Sequence, residues 1–214
     1  MTLGRWLIRC EIWLLAVAPA TVGIAAPFLV DVTHWPTSNG GNGHWYGLYV
    51  NYDDSALSVS QIEEYFDSEG DYAIVKANGL YTPWSEANEM AIASRGQLAS
   101  ITSPDENAFV FAFVDDPIAW SFRFRRSWGP WIGGFQLPNQ SDPGSGWQWT
   151  TGEPFVYSAW NVGEPNDFEV EEDRLIYFSL NAERVPLWND MPDDPRVPRL
   201  STARLDTFLV EFEF

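Results

Sequence analysis

Glu164-Pro165-Asn166-Asp167-Phe168-Glu169-Val170-Glu171-Glu172-Asp173 places six acids in ten residues with no base, and Trp188-Asn189-Asp190 follows fifteen residues later. Carboxylates crowded in this way repel one another unless a cation sits among them. Asp, Glu and Asn supply hard oxygens, the donors that suit calcium and its roughly six to eight ligands. Amide oxygens at Asn166 and Asn189 fill a coordination shell without adding charge. Zinc and copper are disfavoured, because His34 and His44 lie far away in sequence and the only cysteine is Cys10. A solvated acidic loop is the alternative, and composition alone leaves both open.

Working outward, the preceding chain reads as helical. Trp84 to Arg95 has apolar residues at 84, 87, 91 and 92, a three-to-four spacing that stops at Gly96. Ser103-Pro104-Asp105-Glu106 is a capping box with proline at the first helical position, opening a helix to about Val114. Short strands are expected at Trp131-Gly134, Gly146-Thr150, Leu175-Leu180 and Thr207-Phe212, and a first strand at His44-Val50. Helices followed by irregular strands predict an α+β domain. Residues 51–72 carry seven acids and no base, an exposed acidic insertion with a short helix around Gln61 to Phe66.

At the other end, Arg5 and Arg9 precede an apolar run from Ile12 to Ala26, with small residues at Gly23 and Ala25. This reads as a signal peptide over residues 1–25, removed after Ala25. The run is shorter than the roughly 20 residues of a membrane span. The expected mature chain is therefore secreted, periplasmic or extracellular, with no span. It begins with a flexible lead at 26–43 and continues as one domain over 44–214. Cys10 leaves with the leader, so no disulfide is possible in the mature chain. Of 12 basic and 30 acidic residues in the 214-residue chain, 10 and 29 remain. Such a charge disfavours nucleic acid and anionic membranes as partners. Aromatic residues at 16% supply large side chains for a core and exclude disorder.

Taken together, Trp84-x-x-Ala87, Leu98-Ala99-Ser100-Ile101, Asp105-Glu106-Asn107, Trp131-Ile132-Gly133-Gly134, Trp147-x-Trp149, Glu164-Pro165-Asn166, Trp188-Asn189-Asp190 and Phe208-Leu209-Val210-Glu211 occur in the order found in C-type lectin-like domains. The chain resembles that family from Trp84 to Glu213, and back to His44. The resemblance implies a fold of two helices with two small antiparallel sheets and long loops. It also implies a cis peptide before Pro165 and a calcium ion held by Glu164, Asn166, Glu172, Asn189 and Asp190. The same five residues would bind a sugar diol. Glu-Pro-Asn goes with the equatorial 3- and 4-hydroxyls of mannose-type glycans, and Gln-Pro-Asp with galactose. A second calcium position would involve Asp167 and Asp173, but Gln136 and Gln140 stand where further acids are usual. The family's two disulfides correspond to Ala91 with Val210, expected as an apolar contact, and to Arg174 with Asp193, expected as an ion pair.

The function implied is calcium-dependent carbohydrate binding without catalysis. A glycoside hydrolase using paired carboxylates and a protein- or ice-binding surface are the rivals. No nucleophile motif or histidine base lies near the acids, which weighs against an enzyme. Trp131, Trp147, Trp149 and Trp188 read as core residues, while Trp35, Trp45 and Trp160 are unsettled. Arg123-Phe124-Arg125-Arg126 reads as a surface face offsetting acids.

Overall fold

A computed structural model describes residues 27–51, 62–66, 72–76, 81–123, 125–168, 171–194 and 205–213. The expected signal peptide and its cleavage point lie outside these residues.

The two helices form where the periodicity and capping predict them. Helix α1, Trp84–Ala93, buries Trp84, Ala87, Met90 and Ala91. It covers every apolar position of the spacing and ends at Ala93, short of the expected Arg95. Arg95 takes the left-handed backbone (φ 65°) that a C-terminal glycine would ordinarily supply. Gly96 serves packing instead, since a Cβ there would lie 2.4 Å from Val210 Cγ1. Helix α2, Pro104–Val114, has Ser103 as N-cap, whose Oγ accepts from Glu106 N at 3.2 Å.

The strands are β1 Phe28–His34, β2 Trp45–Val50, β3 Ile62–Phe66, β4 Tyr72–Lys76, β5 Gln97–Leu98, β6 Ser121–Arg123, β7 Arg126–Gln136, β8 Trp147–Trp149, β9 Arg174–Ser179, β10 Trp188–Met191 and β11 Thr207–Phe212. Among the described residues nine of them join one sheet in the order β1-β2-β11-β7-β9-β10, with β5 on β11 and β6 and β8 on β7. The fold is α+β. Its strands connect more extensively than two separate small sheets, because β11 bridges to β7 through a parallel contact, Phe208 to Trp131. Gly133 lets the chains close up here, as a Cβ on it would lie 2.3 Å from the Leu98 carbonyl.

Two local expectations are corrected. Phe28–His34, read as part of a flexible lead, is β1 and pairs antiparallel with β2 from Phe28–Val50 to His34–Trp45. Where a short helix was expected around Gln61 to Phe66, the described residues Ile62–Phe66 are β3 in a hairpin with β4. Five residues are too few for a helix to recover its nucleation cost, whereas a hairpin partner supplies hydrogen bonds at once.

Trp131 and Trp188 are fully enclosed, and Trp147 and Trp149 nearly so. Trp35 is also buried, stacked on Phe109, Trp45 stacks on His34 and Trp160 packs edge-on against Trp147. Ala91 and Val210 are both enclosed in one apolar cluster. Arg174 Nε stands 3.4 Å from Asp193 Oδ1, the expected ion pair, and the guanidinium also lies over Trp84.

A buried polar network ties β2 to α2 and β11. Tyr46 donates its hydroxyl to Glu106 Oε1 at 2.5 Å, Asn42 donates to the same oxygen at 2.8 Å, and Thr102 N and Oγ1 donate to Glu106 Oε2. Glu211 accepts from Ser100 N at 2.9 Å and pairs with His44 Nδ1. Tyr46→Phe removes the hydroxyl donor to the enclosed Glu106 carboxylate, so it is expected to destabilise the fold by about 1–2 kcal/mol in urea unfolding. An unchanged midpoint would show that the network contributes nothing net.

Candidate functional site

The site is built where a long loop returns to the edge of the sheet. β10 pairs antiparallel with β9, setting Asn189 opposite Ile176 and Asp190 opposite Leu175. The loop leading to β9 is pinned to β10 by Trp188 N donating to Ala159 O and Asn161 N donating to Trp188 O, both at 2.8 Å. Trp188 meets Trp149, Tyr157 and Trp160 edge-on beneath it. These contacts hold the Glu-Pro-Asn segment against β10.

Within the loop the Glu164–Pro165 peptide is cis. Asp190 Oδ2 accepts from the amides of Asn166 and Asp167, each at 2.9 Å. Glu172 Oε2 accepts from Phe168 N at 2.9 Å, and Glu172 N donates to Asp167 Oδ1 at 3.0 Å. Asn166 donates through Nδ2 to Glu164, and Asn189 through Nδ2 to the Asp190 carbonyl. Glu164, Asn166, Glu172 and Asn189 line one cavity of about 280 Å³. Asp190 is fully enclosed, and its charge acts on the Glu164 carboxyl. All five residues singled out from the sequence are thus brought together.

Electrostatics make this a place short of positive charge. Burial, with repulsion from Asp190 and Glu164, pushes the Glu172 carboxyl up to about 8 despite the Phe168 amide. Burial and the charge of Asp190 push Glu164 up to about 7. Asp190 is also raised by burial, against the two amides it accepts from. Each shift means that ionising these groups without a counter-charge is unfavourable.

The residues fit a calcium ion. Asn189 Oδ1 and Asp190 Oδ1 are buried and have no hydrogen-bond partner, an arrangement that costs roughly 1–3 kcal/mol per group unless something accepts those lone pairs. Both are hard oxygens beside two carboxylates. Among the described residues no three or more His, Cys, Asp and Glu side chains form a metal-binding group by themselves. A cation held here would draw on the amide oxygens of Asn166 and Asn189 beside the carboxylates.

Asp167 and Asp173, the residues of the second calcium position, are engaged otherwise: Asp167 with the Glu172 amide, Asp173 with Arg174 at 2.9 Å. Gln136 donates Nε2 to the carbonyls of Asp142, Pro143 and Ser145, and so organises its own loop.

One half of the cavity was not legible in the sequence. Arg126, Trp128, Val162, Phe168, Phe178, Leu180 and Met191 also line it. The available signal was that Val162 and Phe168 are apolar residues immediately flanking an otherwise polar segment.

Comparison with known proteins bears on the fold. No family model matches the chain. A 113-residue stretch, 53% of the chain, is 27% identical to human C-type lectin domain family 4 member G and spans 33% of that relative's length. Among solved structures, a Ca2+-dependent type II antifreeze protein in its Ca2+-free form superposes with a TM-score of 0.51 at 15% identity, over 86% of this chain and 98% of the other. The fold is C-type lectin-like. The cow C-type carbohydrate-recognition domain of CD23, solved in the presence of a GlcNAc2Man3 oligosaccharide, has a TM-score of 0.44 at 22% identity, over 62% of this chain and 81% of its own. The fold alone does not name a ligand, which must be argued from the site. No helix among the described residues is long and apolar enough to cross a membrane.

Proposed function

We propose that this chain is an exported, non-catalytic, calcium-dependent lectin for mannose-type glycans. The observation that carries the reading is the pair of unpartnered buried oxygens on Asn189 and Asp190 beside the raised carboxyls of Glu164 and Glu172. Glu164, Asn166, Glu172, Asn189 and Asp190 would hold the ion. When bound, calcium supplies a Lewis-acidic centre with positions left over for two neighbouring hydroxyls.

The protein's own groups supply the rest of the recognition. Carboxylates of Glu164 and Glu172 accept the hydroxyl protons, while the amides of Asn166 and Asn189 donate to the remaining lone pairs. Asn166 and Glu164 lie side by side in this structure, amide to carboxylate, as reading one hydroxyl by both charge and donor requires. Carboxylates committed to a cation exchange protons poorly, which supports binding over hydrolysis. One diol is a small contact, so affinity for a single sugar should be around millimolar, about 4 kcal/mol. Useful capture of a cell surface then depends on several sites acting together.

A glycan array with and without chelator tests the reading. Calcium-dependent signals on mannose-type glycans, competed by free mannose, are expected. Binding indifferent to mannose would point to a protein or ice surface, and release of free sugar would point to an enzyme. The direction of the Glu164/Asn166 pair should also set preference. Glu164→Gln with Asn166→Asp exchanges donor and acceptor, and is expected to turn a mannose preference into a galactose one by roughly tenfold, about 1.4 kcal/mol. Competition assays with the two sugars measure this directly, and an unaltered ranking would mean that neither residue reads the sugar.

A further inference from the structure

The cavity at Glu164 has two unlike halves. Its polar half is Glu164, Asn166, Glu172 and Asn189, the residues assigned above to the sugar diol. The other half is floored by the buried rings of Trp128 and Phe178 and walled by Val162, Phe168 and Leu180. Those three walls are 84%, 56% and 44% exposed. They come from either side of the Glu-Pro-Asn segment and from just past β9, so the fold gathers them from separate stretches. Exposing such a patch on a chain of net charge −18 leaves apolar area in water that a ligand can cover.

Among the described residues three exposed side chains form this wall, fewer than a protein interface needs to bury about 800 Å² on each partner. They suit a substituent a few carbons long. Because the apolar wall is continuous with the polar half, one ligand can fill both.

We infer that the site binds mannose-type sugars carrying an apolar substituent, an aryl group or short alkyl or acyl chain, seated on Val162, Phe168 and Leu180. This inference rests on the diol reading of the polar half. The substituent adds affinity by burying area against these walls, while the hydroxyls fix its orientation. Arg126, at the same cavity, can lie flat against an aryl ring.

Calorimetry with methyl, phenyl and hexyl α-mannosides in saturating calcium tests it. The phenyl and hexyl compounds are expected to bind about tenfold tighter than the methyl one. In Val162→Ser with Leu180→Ser that ratio should fall towards one, with methyl mannoside binding unchanged within about twofold. Equal affinity of all three mannosides, with calcium dependence retained, would overturn this inference alone. A ratio that survives the double substitution would also overturn it, as would a sulfated mannoside that gains more than the phenyl one, since Arg126 would then select an anion. Failure of every mannoside to bind would overturn it together with the diol reading.

Discussion

Glu172→Gln combined with Asp190→Asn is expected to weaken calcium binding by at least roughly a hundredfold and to abolish sugar binding. Each carboxylate removed takes away a charge-assisted contact of roughly 1.5–3 kcal/mol, and about 1.4 kcal/mol is tenfold. The amide oxygens left in place can still accept from Phe168 N and from the amides of Asn166 and Asp167, the bonds that shape the loop. The fold should therefore survive. The same variant should be more stable than the parent when both are stripped of metal at pH 8.5, because two enclosed, mutually repelling carboxylates are gone. Calcium titrations and chelated melting curves on the two proteins measure both effects. Unchanged calcium affinity would show that these carboxylates bind no ion.

The second large effect is a dependence of stability on pH that calcium opposes. Glu164 is raised to about 7 and Glu172 to about 8 from an ordinary 4.5, with Asp190 raised as well. A carboxyl whose folded-state pKa is raised contributes stability that is complete below its ordinary value and is lost as pH climbs through the raised one. Metal-free protein should therefore be more stable at pH 5 than at pH 8.5. Glu211, pushed to about 7 chiefly by burial, acts in the same direction. Calcium favours the ionised groups, so its contribution grows over the same window. With calcium at a hundred times its Kd the gain is about 2.7 kcal/mol, or about 5–11 °C in melting temperature for a domain of this size. Melting curves at both pH values, with calcium and with chelator, check the sign. A chelated protein that melts higher at pH 8.5 than at pH 5 would contradict it.

Much of this fold was legible because its signals are local. The capping box at Ser103-Pro104-Asp105-Glu106 opens α2 where a capping box should, and the alternation of Trp147-Gln148-Trp149 marks β8. The Glu-Pro-Asn and Trp-Asn-Asp segments drew attention because carboxylates so crowded need an explanation. What escaped depends on partners distant in sequence. β1 was hidden because Phe28–His34 adjoins an apolar run of sequence and a glycine-rich turn, and only pairing with β2 makes it a strand. The Glu106, Tyr46 and Glu211 network joins residues 60 and 165 positions apart, for which no local pattern exists. The apolar half of the cavity likewise appears only when Leu180 is folded beside Val162. Gly96 was legible only in part: its amide closes α1 by donating to Ala91 O at 3.1 Å, while its lack of a side chain answers to Val210 across the sheet.

Calorimetric titration of calcium into chelator-stripped protein at pH 7, repeated in two buffers of different ionisation enthalpy, addresses the central claim most directly. Calcium held by these five side chains should bind with release of protons, because Glu164 and Glu172 are partly or largely protonated beforehand. No binding, or binding without proton release that persists in Glu172→Gln with Asp190→Asn, would contradict it.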